Sequence, residues 1–204
     1  MIARRPLKAH RVEMRLAGSG GQGIILAGLV LTEAVGLFEG REVAMVQSYG
    51  PEARGGASKA EIIISDTAID YPLCTQVDVL LAMTQEAADS YCWDLKPGAL
   101  VIVDKDLVPN PPTSRAIALP FTAVSRDSLK APMAANVIAL GVISEMTGLV
   151  SRHSIEKALF PRLPADKRPL NKKALSRGIR MAREYPRGAA LARTDERKPE
   201  PEDM

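Results

Sequence analysis

Leu16-Ala17-Gly18-Ser19-Gly20-Gly21-Gln22-Gly23-Ile24 sets a glycine-rich turn between a short apolar run and a long one. Four of these nine residues lack a Cβ, so the backbone can take left-handed torsions and another backbone or a ligand can come within contact distance. With residues 13–17 as a strand and 23–38 as a helix, the N–H groups of the first helical turn point back at the glycines, which favours anions. The spacing of Gly18, Gly20 and Gly23 also fits G-x-G-x-x-G, the dinucleotide fingerprint. A dinucleotide site needs an acid at the end of the second strand to hold a ribose hydroxyl, and residues 42–47 lead instead into Gln47-Ser48-Tyr49. The turn is therefore open to three readings: a structural turn, a dinucleotide site, or a seat for another phosphate-bearing ligand or a partner loop.

Working outward from the turn, residues 12–17 read as the first strand, and residues 24–38 are apolar almost all round where a surface helix would show a polar face. Strands follow at 42–47 and 57–65, the latter with an Ile62-Ile63-Ile64 run suited to burial on both faces. Residues 77–83 form a fourth strand, and Thr84 is placed to cap a helix over 85–95. Lys96-Pro97-Gly98 reads as a turn into a fifth strand at 99–103, closed by Asp104. Pro109, Pro111 and Pro112 exclude a helix nearby, and residues 115–121 suggest a sixth strand. Helices are expected over 132–146, 155–159 and 171–185. This alternation predicts a single α/β domain over residues 12–186, with a mostly parallel sheet flanked by helices and a Rossmann-like start. The basic N-terminal arm at 1–11 and a disordered, polar C-terminal tail at 187–204 lie outside it. Two helices without a polar face suggest a subunit covered by partners, although packing on the sheet would also account for them.

Composition removes several classes. With 46% hydrophobic and 25% charged residues the chain is globular, and a net charge of +3 spread among 24 acids does not call for nucleic acid. Only Cys74 and Cys92 are present, whereas an iron–sulfur cluster takes four thiolates and His10 and His153 lie far away in sequence, so no metal site is expected. The basic start lacks a small-residue cleavage site, and the apolar helices carry Glu33, Asn136 and Glu145, so a soluble, cytoplasmic protein is expected.

A second stretch, Gln47-Ser48-Tyr49-Gly50-Pro51-Glu52-Ala53-Arg54-Gly55-Gly56-Ala57-Ser58, follows the second strand at its carboxyl end, where open α/β sheets bind ligands. Arg54 beside Gly55 and Gly56 offers a guanidinium fork and bare backbone N–H groups, suited to phosphate or carboxylate. The alternative is a glycine-rich connection with a solvated arginine. Glu86 suits the dipole of the helix it opens, and Ser19 has no histidine or acid at nucleophile spacing, so no catalytic residue is expected.

Taken together, the two glycine stretches resemble the gamma subunit of the 2-oxoacid:ferredoxin oxidoreductases, most closely the 2-oxoglutarate and 2-oxoisovalerate type. Asp70-Tyr71-Pro72, Asp78-Val79-Leu80-Leu81-Ala82-Met83-Thr84-Gln85-Glu86-Ala87 and Leu170-Asn171-Lys172-Lys173-Ala174-Leu175 continue the likeness over residues 12–185. The resemblance implies a multi-subunit enzyme that decarboxylates a 2-oxoacid, 2-oxoglutarate being favoured, to an acyl-CoA with a ferredoxin-type electron acceptor. It implies alpha, beta and ferredoxin-like (delta) partner subunits that carry thiamine diphosphate, Mg and Fe4S4 clusters, with none of these bound by this chain alone. This chain would complete the assembly and line the way by which coenzyme A reaches the thiamine. Gly18, Ser19, Gly20, Gly21, Gln22, Gly23, Tyr49, Arg54, Gly55 and Gly56 are its candidate CoA-binding or partner-binding residues. Two other readings stay open: a stand-alone nucleotide-binding domain, and the same subunit in an enzyme for an aryl 2-oxoacid such as phenylglyoxylate or indolepyruvate.

Overall fold

The computed structural model describes residues 10–49 and 57–186; most of the basic arm, the tail and residues 50–56 lie outside the described residues. Six segments are strands: β1 (Arg11–Ser19), β2 (Glu42–Ser48), β3 (Ala57–Ser65), β4 (Val77–Ala82), β5 (Leu95–Asp104) and β6 (Ile117–Leu119). They form one sheet in the order β2-β3-β1-β4-β5-β6. The β1–β4, β4–β5 and β5–β6 pairs are parallel, while β3 runs antiparallel to both β1 and β2. One reversed strand in an otherwise unidirectional sheet is the mostly parallel arrangement expected. Its cause is the short β2–β3 connection, which brings the chain back beside β1.

The helices are α1 (Ile24–Glu33), α2 (Gln85–Ser90), the single turn α3 (Phe121–Ala123), α4 (Ala135–Thr147), α5 (Arg152–Leu159) and α6 (Arg168–Glu184). Side chains alternate across the sheet. Val12, Met14, Leu16, Ile62, Ile64, Val79 and Leu81 enter the main core with α1, α4, α5 and α6, whereas Leu80, Ala82, Val101 and Val103 pack with Ala88 of α2. One face is thus covered by long helices and the other by α2 and connecting segments. All three residues of the Ile62-Ile63-Ile64 run are fully buried, as that run suggested. Burying each such side chain stabilises the fold by about 1.5–3 kcal/mol.

The two apolar helices part company here. The long α4 is buried inside this chain, against α6. At their contact Gly141 and Gly178 let the backbones meet: a Cβ on Gly178 would lie only 1.9 Å from the Ile138 carbonyl oxygen. By contrast α1 leaves Leu29 exposed, and Leu37 beyond it is 72% exposed.

Several boundaries differ from the sequence reading for physical reasons. Beyond Glu33 the first helix widens into a π turn over Ala34–Phe38. Lys96-Pro97-Gly98 lies within β5: Val77 pairs with Leu95 but Val79 with Leu100, so the turn-forming residues are absorbed as an irregularity with Gly98 at φ 81°. The helix capped by Thr84 stops at Ser90, because Tyr91 and Asp94 turn back toward β1. The sixth strand shrinks to three residues, since Phe121 already begins α3. Pro132 opens a 3-10 turn ahead of α4, Ser151 caps α5 one turn earlier than expected by accepting from the Ser154 N–H, and Pro169 sits in the first turn of α6.

On the less helical face, Arg15 is buried in mid-strand. Its Nε donates to Glu61 Oε1 at 2.9 Å and its Nη2 to Asp94 Oδ2 at 2.7 Å, with Tyr91 stacked nearby and its Nη1 on the Tyr91 carbonyl. The hydrogen bond from Arg15 holds the Asp94 carboxyl below the usual carboxylate range. Glu13 is pulled upward by burial but ends below its ordinary value, because the backbone N–H groups of Gln76 and Thr75 and the Arg11 guanidinium favour the carboxylate. These bonds tie the 66–76 connection and the 91–94 turn to the sheet.

Candidate functional site

The glycine turn joins the carboxyl end of β1 to α1, and Gln22 organises it. The Gln22 Oε1 accepts from the Ser19 N–H at 2.8 Å, and its Nε2 donates to the Met83 carbonyl at 3.3 Å, just beyond β4. The Gln22 backbone N–H donates to the Ser19 carbonyl. One amide side chain thus closes the turn and pins it to the neighbouring strand. Gly18 is packed: a Cβ there would sit 2.4 Å from Gln22 Oε1. At Gly20 and Gly21 an added Cβ would meet nothing within 4 Å, so this side of the turn is open to a ligand or a partner.

Gly23 is the N-cap of α1, with φ 74° and no side-chain cap on the helix. Two constraints select glycine: the left-handed torsion, and Asn136 Nδ2 only 2.3 Å from where a Cβ would be. The Gly23 carbonyl accepts from the Ala27 N–H at 2.9 Å and from Asn136 Nδ2 at 3.1 Å. Asn136, 4% exposed on α4, completes its bonding by accepting from the Val137 N–H. With no side chain to accept from them, the first-turn N–H groups of α1 keep their partial positive charge for whatever lies ahead.

Beside Gly23 opens a cavity of about 490 Å³, walled by Leu26, Pro132, Met133 and Leu163 with Lys130 and Lys167. Lys130 holds φ 53°, the left-handed region, at the turn before Pro132, and Met133 is 73% exposed. An apolar wall with two lysines in its lining, Lys167 also 3.4 Å from Asp166, next to an uncapped helix N-terminus, suits an amphiphilic anion.

The register brings the second glycine stretch to the same end of the sheet. Gly18 pairs with Ser58 and Ser19 with Ala57, and Ser58 Oγ donates to the Gly18 carbonyl at 3.1 Å. Tyr49 leaves the end of β2 68% exposed. Arg54, Gly55 and Gly56 lie outside the described residues, so the structure joins Gly18, Ser19, Gly20, Gly21, Gln22 and Gly23 to the flanks of that loop but not to Arg54. Sequence reasoning missed Asn136, Lys130 and Lys167. For Asn136 a signal existed, a lone amide within an apolar helix; the lysines are brought in by tertiary packing.

No cluster site can be assembled from what is described. Cys74 and Cys92 are free, and no group of three or more His, Cys, Asp or Glu is placed to hold a metal among the described residues. Burial, reinforced by Glu61 and Glu13, pushes the Cys74 thiol up to about 12. Two thiols fall short of the four that an Fe4S4 centre takes. Among the described residues, no helix is long and apolar enough to cross a membrane.

Residues 13–181 match the family described as Pyruvate ferredoxin/flavodoxin oxidoreductase. The chain belongs to this family. Within it, the chain is similar to the 2-oxoglutarate synthase subunit KorC of Methanocaldococcus jannaschii, with 43% identity over 85% of this chain and 95% of the relative. The KorC of Archaeoglobus fulgidus is also 43% identical, over 85% of this chain and 89% of the relative. Among solved structures, the keto/oxoacid ferredoxin oxidoreductase gamma subunit from Geobacter sulfurreducens superposes with a TM-score of 0.78 at 43% identity, covering 85% of this chain and 97% of that one. The gamma-subunit membership suggested by the two glycine stretches, and the α/β fold read from the alternation of strands and helices, therefore stand. As a member of the family the chain is an oxidoreductase subunit.

Proposed function

We propose that this chain is the gamma subunit of a 2-oxoglutarate-oxidising, succinyl-CoA-forming complex with a ferredoxin-type acceptor, and that the glycine turn with its neighbouring cavity holds coenzyme A. Four relatives named 2-oxoglutarate synthase subunit KorC, at 40–43% identity, support the substrate. The observation that carries the CoA reading is the uncapped N-terminus of α1 at Gly23, opening beside a cavity that combines Lys130 and Lys167 with apolar walls. Coenzyme A presents phosphates for the helix N-terminus and lysines, and an apolar arm for the walls. In sequence, Arg54 falls three residues before β3 begins at Ala57, in the loop whose flanks reach this end of the sheet, and its guanidinium is the proposed further phosphate contact. Tyr49, exposed just after β2, is assigned to the same site.

Alpha, beta and ferredoxin-like subunits complete the proposed complex, in the cytoplasm. Thiamine diphosphate with Mg and Fe4S4 clusters, held by those subunits, would supply the decarboxylation and electron-transfer chemistry. This chain's share is to bind and orient CoA: its phosphates are fixed at the turn, while Gln22 and Asn136 keep the turn rigid. In the assembled complex, Arg54→Ala raises the KM for CoA about tenfold, the loss expected from removing one charge-assisted phosphate contact, and leaves CoA-independent release of CO2 intact. Unchanged CoA kinetics would refute the assignment.

A further inference from the structure

The charge of this chain is small overall but unevenly placed. The α6 helix carries Arg168, Lys172, Lys173, Arg177, Arg180 and Arg183, with Glu184 its single acid. Lys172, Lys173, Arg177 and Arg180 line an open groove of about 610 Å³, joined by Arg152 of α5 and by Leu129 and Pro169. No acid lines this groove. Two of the groove's cations have acidic neighbours outside its lining, Arg152 at Glu156 and Arg180 at 3.9 Å from Glu184, while Arg183 beyond it reaches Glu145. Among the described residues, Lys172, Lys173 and Arg177 make no ion pair, and the buried Nε of Arg177 has no hydrogen-bond partner. Crowding like charges on one helix face is unfavourable, so Lys172, Lys173 and Arg177, the groove's three cations without an ion pair among the described residues, call for an anion.

We infer that the α5–α6 groove is a docking surface for a dissociable protein partner that presents a row of carboxylates. The length of the stripe decides the class of ligand. From Lys172 to Arg180 the groove-lining cations span about 12 Å of helix, with Arg152 of α5 beside them, longer than one phosphate or diphosphate and suited to a protein face. The groove contains no aromatic side chain on which a base would stack, which disfavours a single-stranded nucleic acid. None of the exposed large apolar residues, such as Leu37, Trp93 and Met133, is on α6, so a permanent subunit contact is better served elsewhere on the surface. Flexible cations without an apolar anchor give fast, salt-sensitive association. The site is separate from the proposed CoA cavity, which uses Leu170 and Asn171 on another side of the same helix.

Fluorescein-labelled poly-L-glutamate serves as the probe, titrated into the full chain and followed by anisotropy. Binding is expected at about 50 mM salt and is lost by about 300 mM. Lys173→Glu with Arg177→Glu weakens it at least about tenfold, while Lys105→Glu with Arg115→Glu, the same change in net charge at exposed sites elsewhere, alters it by less than about twofold. Circular dichroism establishes that both double variants are folded; if the first is not, Lys172→Gln with Lys173→Gln, both exposed, replaces it and is held to the same tenfold criterion. Equal losses in the two pairs would overturn the proposal. So would tighter binding of inorganic pyrophosphate or oligo-dT than of poly-L-glutamate.

Discussion

Replacing Arg15 by methionine removes the donor shared by two carboxylates while keeping the length of the side chain. Glu61 is 5% exposed and accepts from Arg15 Nε at 2.9 Å, so the variant leaves a carboxylate buried with less support. Removing one partner of a buried ion pair costs about 3–5 kcal/mol. Two features reduce that figure here. Lys59 Nζ stays 3.3 Å from Glu61, and the Asp94 side chain is 35% exposed, so water can replace part of what it loses. A loss of about 2–3 kcal/mol is therefore expected, a factor of roughly 30–150 in the folding equilibrium. Urea unfolding of the purified chain, followed by circular dichroism, measures it as a lower midpoint at unchanged slope. Adding Glu61→Met to Arg15→Met restores about 1 kcal/mol or more, because the second change removes the unpaired buried charge. The acid limb gives an independent reading. Asp94 has a depressed folded-state pKa, so its contribution is present above the ordinary carboxylate value of 3.8 and is lost as pH falls through the lower folded value. In Arg15→Met that depression disappears, and the fall in stability below about pH 4 becomes shallower. A single variant within about 0.5 kcal/mol of the parent would refute the claim that this network holds the 91–94 turn on the sheet.

Other consequences are simpler to state. Gly178→Ala puts a methyl against the Ile138 carbonyl at the α4–α6 contact, so the chain loses about 2–3 kcal/mol in the same unfolding assay, whereas Ser176→Ala, on the exposed side, changes it by less than about 0.5 kcal/mol. Trp93, the sole tryptophan, is 86% exposed in the chain; in the assembled complex its emission moves to shorter wavelength and acrylamide quenching falls if this surface is a subunit contact, and identical spectra free and assembled would exclude that.

How much of this was legible in the sequence depended on whether local chemistry or tertiary packing set each feature. The strand cores of β1 to β5 follow from apolar runs, and the Thr84 cap on α2 from a side chain that accepts from the Ala87 N–H. The glycine turn was legible because torsion and composition agree at Gly23. Less legible was Lys96-Pro97-Gly98, where β4 offers strand pairing that overrides turn propensity. The end of α2 depended on Arg15 capturing Asp94, a contact across 79 positions. Likewise Gly178 carries no local signal for its role, since only the approach of α4 makes the missing Cβ necessary. At the site, the proximity of the two glycine stretches followed from the strand-end rule and is realised in the Ser58 to Gly18 bond, while Lys130 and Lys167 reach the cavity only through packing of their segments beside α1. The apolar surround of the first helix pointed to partners, and Leu29 and Leu37 remain exposed there. The similar pattern of α4 is spent on this chain's own core.

The assignment of this chain's end of the sheet to coenzyme A is tested most directly by calorimetric titration of CoA into the assembled complex, comparing the wild type with Lys130→Ala, Lys167→Ala. Loss of the two lysines that line the cavity next to Gly23 predicts CoA binding weakened by about tenfold or more, with binding of the 2-oxoacid unchanged. Equal CoA affinity in the two complexes would contradict the account.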